Sequence, residues 1–327
     1  MLQEGYLYYD YRKRQWVEGT LGSLLPHCVR IKISAFGANR ADLLQMRGLY
    51  PPPPGYPDIP GLECAGKVVA CGKEVHSELL FRRVMALLPA GGYASHVDVE
   101  ADLVLPLPDT LSYEQGAAIP ESLFTAYLFL VHLGGMKMGN RVLIFSGAGG
   151  IGTMAIQLTR LWGAIPIAVC GSEEKRRLCY ELGAEIVFLH SQPQWQHHLI
   201  EQLKGKVDIV LDTLGYHEQF PNLLHVLNRG GKWLVMGLLD KGEGIMVNPS
   251  LFLSRALTYR GQTLRALPFY DKWQLSQQVR PLLYWFESGE LKPVVDQVFS
   301  YDAIEEGLSY LIQNKARGKV VFSWRKT

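Results

Sequence analysis

Between Arg141 and Gly152 lie the residues whose types and spacing most plainly imply chemistry. Gly147, Gly149 and Gly152 follow G-x-G-x-x-G spacing. Arg141 to Phe145 before them is a short apolar run of strand type. Met154, Ile156, Leu158, Leu161 and Trp162 after them recur at helical spacing. A strand that feeds a glycine turn and then a helix is a pyrophosphate site. A glycine tolerates the turn's dihedrals, a second admits the phosphates, and a third lets helix and strand pack closely. Gly147, Gly149, Gly150, Ile151 and Gly152 then present backbone N–H groups and a helix N-terminus to the anion.

The choice of dinucleotide is written one strand later. The apolar run Ile165 to Cys170 ends in Gly171-Ser172, with no Asp or Glu to bind a ribose 2′-hydroxyl. Gly171 leaves room there, Ser172 can donate a hydrogen bond, and Lys175 lies one helical turn on. That set favours NADPH. The alternative is that Ser172 caps a helix whose solvated face carries Lys175 to Arg177. Thr213, Gly237 and Leu238 fall at the C-terminal ends of later strands, where parallel sheets bind ligands.

These residues need a positioning scaffold. From Ile119 onward strand-like and helix-like runs alternate: Ser122–Leu133 helical, Ile165–Cys170 extended, Ser172–Leu182 helical, Ile186–Leu189 extended and Gln194–Leu203 helical. Val207–Leu211 then reads as strand, His217–Leu227 as a helix closed by Gly230, Lys232–Met236 as strand, and Leu257–Thr263 as a sixth strand. Such alternation predicts an α/β fold with a doubly wound parallel sheet. Residues 1–117 show only short strand-like runs split by Gly and Pro, which predicts a compact β-rich unit. Pro51 to Pro54 must form an extended loop. A tail with a helix near Lys272–Phe286 and a strand at Gly318–Ser323 returns to that first unit.

At 327 residues the chain is long enough for about two domains. Its net charge of +2 gives no long-range pull toward nucleic acid or an acidic membrane. Leu123–Leu133, the longest apolar stretch, is too short to span a bilayer. Glu4 and Asp10 argue against a signal peptide, and five cysteines without a C-x-x-C pair read as reduced thiols; both imply a cytoplasmic protein.

The glycine loop, Gly171-Ser-Glu-Glu-Lys175 and Asn39-Arg-Ala-Asp-Leu-Leu-Gln-Met-Arg-Gly-Leu-Tyr-Pro-Pro-Pro-Pro-Gly55 together resemble the quinone oxidoreductase branch of the medium-chain dehydrogenase/reductase superfamily. Pro60-Gly-Leu-Glu-Cys-Ala-Gly66, Ala117-Ala-Ile-Pro120, Thr125-Ala-Tyr127 and Gly318-Lys-Val-Val321 extend the resemblance along the whole chain. Tyr50 beside four prolines is most similar to the animal subgroup induced by a tumour suppressor. The resemblance implies a GroES-like β-rich catalytic domain, residues 1–117 completed by 264–327, and a Rossmann domain over 118–263. It also implies a homodimer, and cofactor contacts at Thr125, Tyr127, Thr263 and Asn314. A tyrosine that relatives place near the adenine is His190 here, and their Gly-Asp turn before Val84–Leu88 is Phe81-Arg82.

Zinc-dependent members carry Cys and His ligands where this chain has Asn39 and Leu62, so no metal is expected. A simple ketone is reduced to a strongly basic alkoxide, which a Lewis acid stabilises. Quinones and α,β-unsaturated carbonyls delocalise the incoming electron pair themselves. Hydride transfer from NADPH to a quinone is therefore the expected reaction, with enoyl or alkenal reduction as the alternative. A non-enzymatic NADPH-binding sensor or an RNA-binding protein is the rival of another class; the near-neutral charge disfavours RNA. Tyr50 is the first catalytic candidate, through a phenol hydrogen bond to nicotinamide or acceptor. Asn39 and Asp42 either orient substrate or fix a turn.

Overall fold

The computed structural model describes residues 5–215, 220–237 and 248–325. Its first strands, β1 (Gly5–Asp10) and β2 (Gln15–Thr20), form a two-stranded hairpin that the sequence pattern does not single out. Then come β3 (Cys28–Ala38), α1 (Arg40–Met46), β4 (Glu63–Cys71), β5 (Arg83–Leu87), β6 (His96–Glu100) and β7 (Val104–Pro106). The helical passage α2 (Tyr113–Gly116) and α3 (Pro120–Tyr127) follows, continued by a π-type turn over Leu128–Leu133, where Gly134 N–H donates to Phe129 O. The whole run Tyr113–Leu133 is 21 residues, longer than the apolar stretch read from sequence. It meets the length for a membrane span, yet 78% of its most apolar window is buried in the fold, which makes it a core helix.

Next come β8 (Arg141–Ile144), α4 (Gly150–Leu161), β9 (Ile165–Cys170), α5 (Glu173–Glu181), β10 (Ile186–Leu189), α6 (Trp195–Leu203), β11 (Val207–Asp212), α7 (Phe220–Leu223), β12 (Leu227–Val235), α8 (Pro249–Arg255) and β13 (Thr258–Gly261). These six strands are parallel in the order β10-β9-β8-β11-β12-β13, a doubly wound Rossmann sheet. The order reverses between β8 and β11, so the glycine loop after β8 sits at the switch point. Phe145, Val169, Val210, Phe220 and Trp233 build the core on this sheet.

One expected helix does not run as predicted. Among the described residues of 217–227, α7 and a single 3-10 turn (Leu224–Val226) stop where β12 begins at Leu227. Gly230 is no helix end. It lies inside β12 at φ +80, where the register with β11 jumps from Leu227 to Lys232. Its left-handed backbone serves a strand irregularity. His217 itself lies outside the described residues.

The chain finishes with α9 (Phe269–Val279), α10 (Leu283–Glu287), β14 (Val295–Ser300), α11 (Ile304–Ile312) and β15 (Lys319–Ser323). Arg280–Leu282 interrupts the predicted single helix at Pro281, whose ring removes a helical N–H. The GroES-like sheet runs β14-β15-β3-β4-β5-β7, with β6 also on β3. Its core includes Phe36, Tyr93 and Phe322, with ring centroids 4.9 to 5.8 Å apart. The chain divides into two compact units, Met1–Ser122 with Pro268–Thr327, and Leu123–Leu267.

Candidate functional site

In the Leu123–Leu267 unit the glycine loop is built for contact rather than for unusual dihedrals. The residue in the left-handed region is Ser146, at φ 53; Gly147 and Gly149 do not use positive φ. A Cβ on Gly147 would lie 2.7 Å from the Ala168 Cβ, and one on Gly152 would lie 2.2 Å from Ser146 O. Gly149, by contrast, would meet only Ser146, its O at 3.2 Å and its Cβ at 3.9 Å. Close packing of β8, β9 and α4 thus demands the first and third glycines. Gly149 is the N-cap of α4, so Gly150, Ile151 and Gly152 form that helix's first turn.

Ser146 carries no signal in the sequence, and it is central here. Thr213 Oγ1 donates to Ser146 Oγ at 2.8 Å, which joins the ends of β8 and β11. Gly237 is close to Thr213, since a Cβ there would sit 3.2 Å from Thr213 O. Asp212, fully buried, accepts from Trp233 Nε1 at 2.9 Å and from the N–H groups of Leu214 and Gly215 at 2.9 and 3.1 Å. That carboxylate holds the turn on which Thr213 stands. Leu238 lies outside the described residues.

At the end of β9, Ser172 caps α5: its Oγ accepts from Lys175 N at 3.3 Å. The helix cap is therefore present, with Lys175 in the first turn. The space beside Gly171 is occupied, because a Cβ there would come within 2.8 Å of His190 Nε2. A side chain at Gly171 would require that ring to shift. Arg176 is engaged by Glu173 at 3.1 Å.

Thr125 and Tyr127 lie on α3 and are buried. The Thr125 hydroxyl has no hydrogen-bond partner, an orphaned polar atom of the kind a bound ligand satisfies. The Tyr127 ring packs edge-on to Trp162 at 5.9 Å. Thr263, past β13, accepts from Ala266 N through its hydroxyl at 3.2 Å.

The other unit carries a polar cluster made by strand register. β15 runs antiparallel to β3 with Val320 opposite Ala38, which sets Lys319 beside Asn39. β4 runs antiparallel to β3 with Cys64 opposite Phe36, which sends the Glu63 side chain over Gly37. A Cβ on Gly37 would be 2.4 Å from Glu63 Oε1, so glycine is required at that crossing. Glu63 Oε1 ion-pairs with the Lys319 ammonium and accepts from Asn39 Nδ2 at 2.9 Å. Lys319 also donates to Asn39 Oδ1 at 2.6 Å and to Ala38 O at 3.2 Å, and Glu121 N–H donates to Glu63 Oε2 at 2.9 Å. Every hydrogen-bonding need of this buried pair is met, as a desolvated ion pair requires. Neither Lys319 nor Gly37 stands out in the sequence as a site residue, although Lys319 belongs to the Gly-Lys-Val-Val run.

Asp42 fixes the turn. Its Oδ2 accepts from Asn39 N at 2.8 Å, closing the start of α1, and from Tyr93 Oη at 3.2 Å. It has no solvent exposure, and burial pushes its carboxyl up to about 7. Tyr93 is raised well above the usual phenol range by the same burial and by Asp42. Tyr50 lies half-buried on the loop after α1. Asn314, with φ 56, accepts from an Arg40 Nη2 of α1.

Among the described residues no three His, Cys, Asp or Glu side chains converge on a metal-sized space. Leu62, at the position where zinc enzymes have a histidine, is buried in the core.

Residues 25–109 match the alcohol dehydrogenase GroES-like domain, and residues 150–285 match the zinc-binding dehydrogenase family. Over 298 residues the chain is 30% identical to the quinone oxidoreductase of Sus scrofa, covering 90% of this chain and 88% of that one. It is also 30% identical over 299 residues to a phenolphthiocerol/phthiocerol polyketide synthase of Mycobacterium tuberculosis, 90% of this chain and 13% of that protein. The solved CurK enoyl reductase superposes with a TM-score of 0.81 at 27% identity, over 98% of each chain.

Proposed function

We propose, for a chain that belongs to the quinone oxidoreductase branch of the medium-chain dehydrogenase/reductase superfamily, a metal-independent reductase that passes a hydride from NADPH to a quinone. The observation that carries this reading is the buried Glu63–Lys319 pair. An ammonium already neutralises the carboxylate, and the neighbouring ligand position is the apolar Leu62. A divalent cation there would face a like charge, with the Glu63 and Asn39 oxygens already engaged. Reduction must then rely on acceptors that spread the added charge themselves, as quinones and conjugated carbonyls do.

NADPH, when bound, supplies the hydride from nicotinamide C4. The chain's own groups bind and orient. Gly150, Ile151 and Gly152 offer the pyrophosphate the N-terminus of α4, with the Ser146–Thr213 pair at the adjoining strand ends. The end of β9, free of carboxylate, and Lys175 suit a 2′-phosphate, which supports NADPH over NADH. Thr125 Oγ1 supplies a hydrogen bond to the bound cofactor. Tyr50 and the amide of Asn39 orient the acceptor, and Asp42 holds the turn that presents Asn39. Solvent water delivers the proton.

Enoyl reduction is the second reading, supported by the likeness to CurK enoyl reductase. The same residues serve it, and only the acceptor differs. The two separate when NADPH and NADH oxidation is followed by absorbance with a 1,2-quinone, a 1,4-quinone and an enone offered one at a time. Faster turnover of quinones with NADPH is expected. Turnover confined to the enone would contradict the quinone assignment, and preference for NADH would contradict the role given to Lys175.

A further inference from the structure

The charge pair in the GroES-like unit decides which way the Asn39 amide points. Asn39 stands half-buried between β3 and α1. Lys319 Nζ donates to its Oδ1 at 2.6 Å, and its Nδ2 donates to Glu63 Oε1 at 2.9 Å. An ammonium only donates, and an ionised carboxylate only accepts. Turning the amide over would set Nδ2 against the ammonium and Oδ1 against the carboxylate, two repulsive contacts in place of two bonds. Both charged side chains are buried, which makes such contacts costly. The pair therefore admits one orientation.

Lys319 Nζ also pairs with Glu63 Oε1, which closes a triangle of ammonium, carboxylate and amide. The Nδ2 hydrogen on the Oδ1 side lies inside that triangle. The second Nδ2 hydrogen, on the Cβ side, has no acceptor among the described residues. The backbone of the same residue is held as well: Asn39 N donates to Asp42 Oδ2 at 2.8 Å, and Asn39 O accepts from Asp42 N at 3.1 Å.

We propose that Lys319 is a positioning residue for the reduction: with Glu63 it locks the Asn39 amide so that the second Nδ2–H donates to the acceptor oxygen that becomes negative. The inference rests on the quinone-reductase reading and assigns the groups that act on the acceptor. A hydride adds to the acceptor with its electron pair. The displaced π pair moves through the conjugated system to a carbonyl oxygen, which becomes an oxyanion until water protonates it. Asn39 gives that oxygen a hydrogen bond and keeps its proton. The bond strengthens as the charge develops, so it lowers the barrier more than it aids binding. A reversed amide would present Oδ1 to the same oxygen and repel it. The ion pair is neutral as a whole, so the oxyanion meets no unbalanced carboxylate.

The test compares Lys319→Met/Glu63→Gln with wild type in the NADPH-dependent reduction of 1,4-benzoquinone and its increasingly methylated analogues. This variant removes both charges together, and a glutamine can face either end of the amide. The expected kcat falls about tenfold, while the quinone KM and the NADPH dissociation constant stay within about twofold. The loss grows with methylation, because a more electron-rich ring leaves more charge on the oxygen. A merely structural defect would lower every quinone alike. In an Asn39→Ala background the same two substitutions should change kcat by less than about twofold. Lys319→Arg, again a donor-only cation, should keep more activity than the double variant. Wild-type kcat in the double variant, or an equal loss with and without the Asn39 amide, would overturn the proposal. Failure of the quinone reading shows itself differently: wild-type protein then reduces none of the series.

Discussion

The two polar regions of this molecule are built in opposite ways. The nucleotide loop is made of backbone: its demands are that Gly147 and Gly152 carry no side chain and that α4 begin at the switch point. The cluster in the GroES-like unit is made of side chains, and Asn39, Glu63 and Lys319 meet because β3, β4 and β15 pair in one register. A backbone site is damaged by adding an atom. A side-chain site is damaged by removing a charge.

That contrast orders the expected effects. Lys319→Met leaves the Glu63 carboxylate buried without its counter-charge and should cost ~3–5 kcal/mol in denaturant unfolding. Adding Glu63→Gln should recover much of that loss. A double variant no more stable than the single one would show the pair is not the source of the penalty.

Gly152→Ala comes next. Its Cβ would strike Ser146 O and the Gly147 Cα, both backbone, and overpacking of ~1–3 kcal/mol should weaken NADPH binding roughly 10- to 100-fold. Gly149→Ala, whose Cβ meets only Ser146, should unfold near the wild-type temperature and lose affinity only through the phosphates that this glycine admits. Equal losses of stability from the two would remove the steric account of the loop.

Asp42 gives a smaller, pH-dependent effect. Its folded value of about 7 lies above the ordinary 3.8, so the native state holds the proton more tightly over that window. Its contribution is present at low pH and is lost as pH rises through about 7. Thermal unfolding of Asp42→Asn against pH should lack this component; identical profiles for the variant and wild type would contradict it. The smallest effect lies outside both regions. Phe81 holds φ 64 at the turn before β5, so Phe81→Gly should gain ~1 kcal/mol in thermal unfolding.

The backbone site is far more legible in the sequence than the side-chain one, for physical reasons. Strand, glycines and helix are contiguous, so their spacing survives in a linear reading; β9 and β10 have the expected bounds. Ser146 escapes notice because its role depends on Thr213, sixty-seven positions away. Glu63 and Lys319 are 256 positions apart, and no local pattern links them. Gly37 looks like any strand glycine until the Glu63 side chain is seen crossing it. The helix expected through Leu227 fails because Gly230 mimics a helix end, whereas strand pairing with β11 decides that segment. Asp42 is legible as a polar residue near the site, but only burial shows it serving the turn.

The most direct test of the central claim, that Lys319 stands at Glu63 in place of a metal, is the rate of NADPH-dependent quinone reduction before and after exhaustive chelation. The account predicts the same rate in both. Loss of activity on chelation, restored by added zinc, would contradict it.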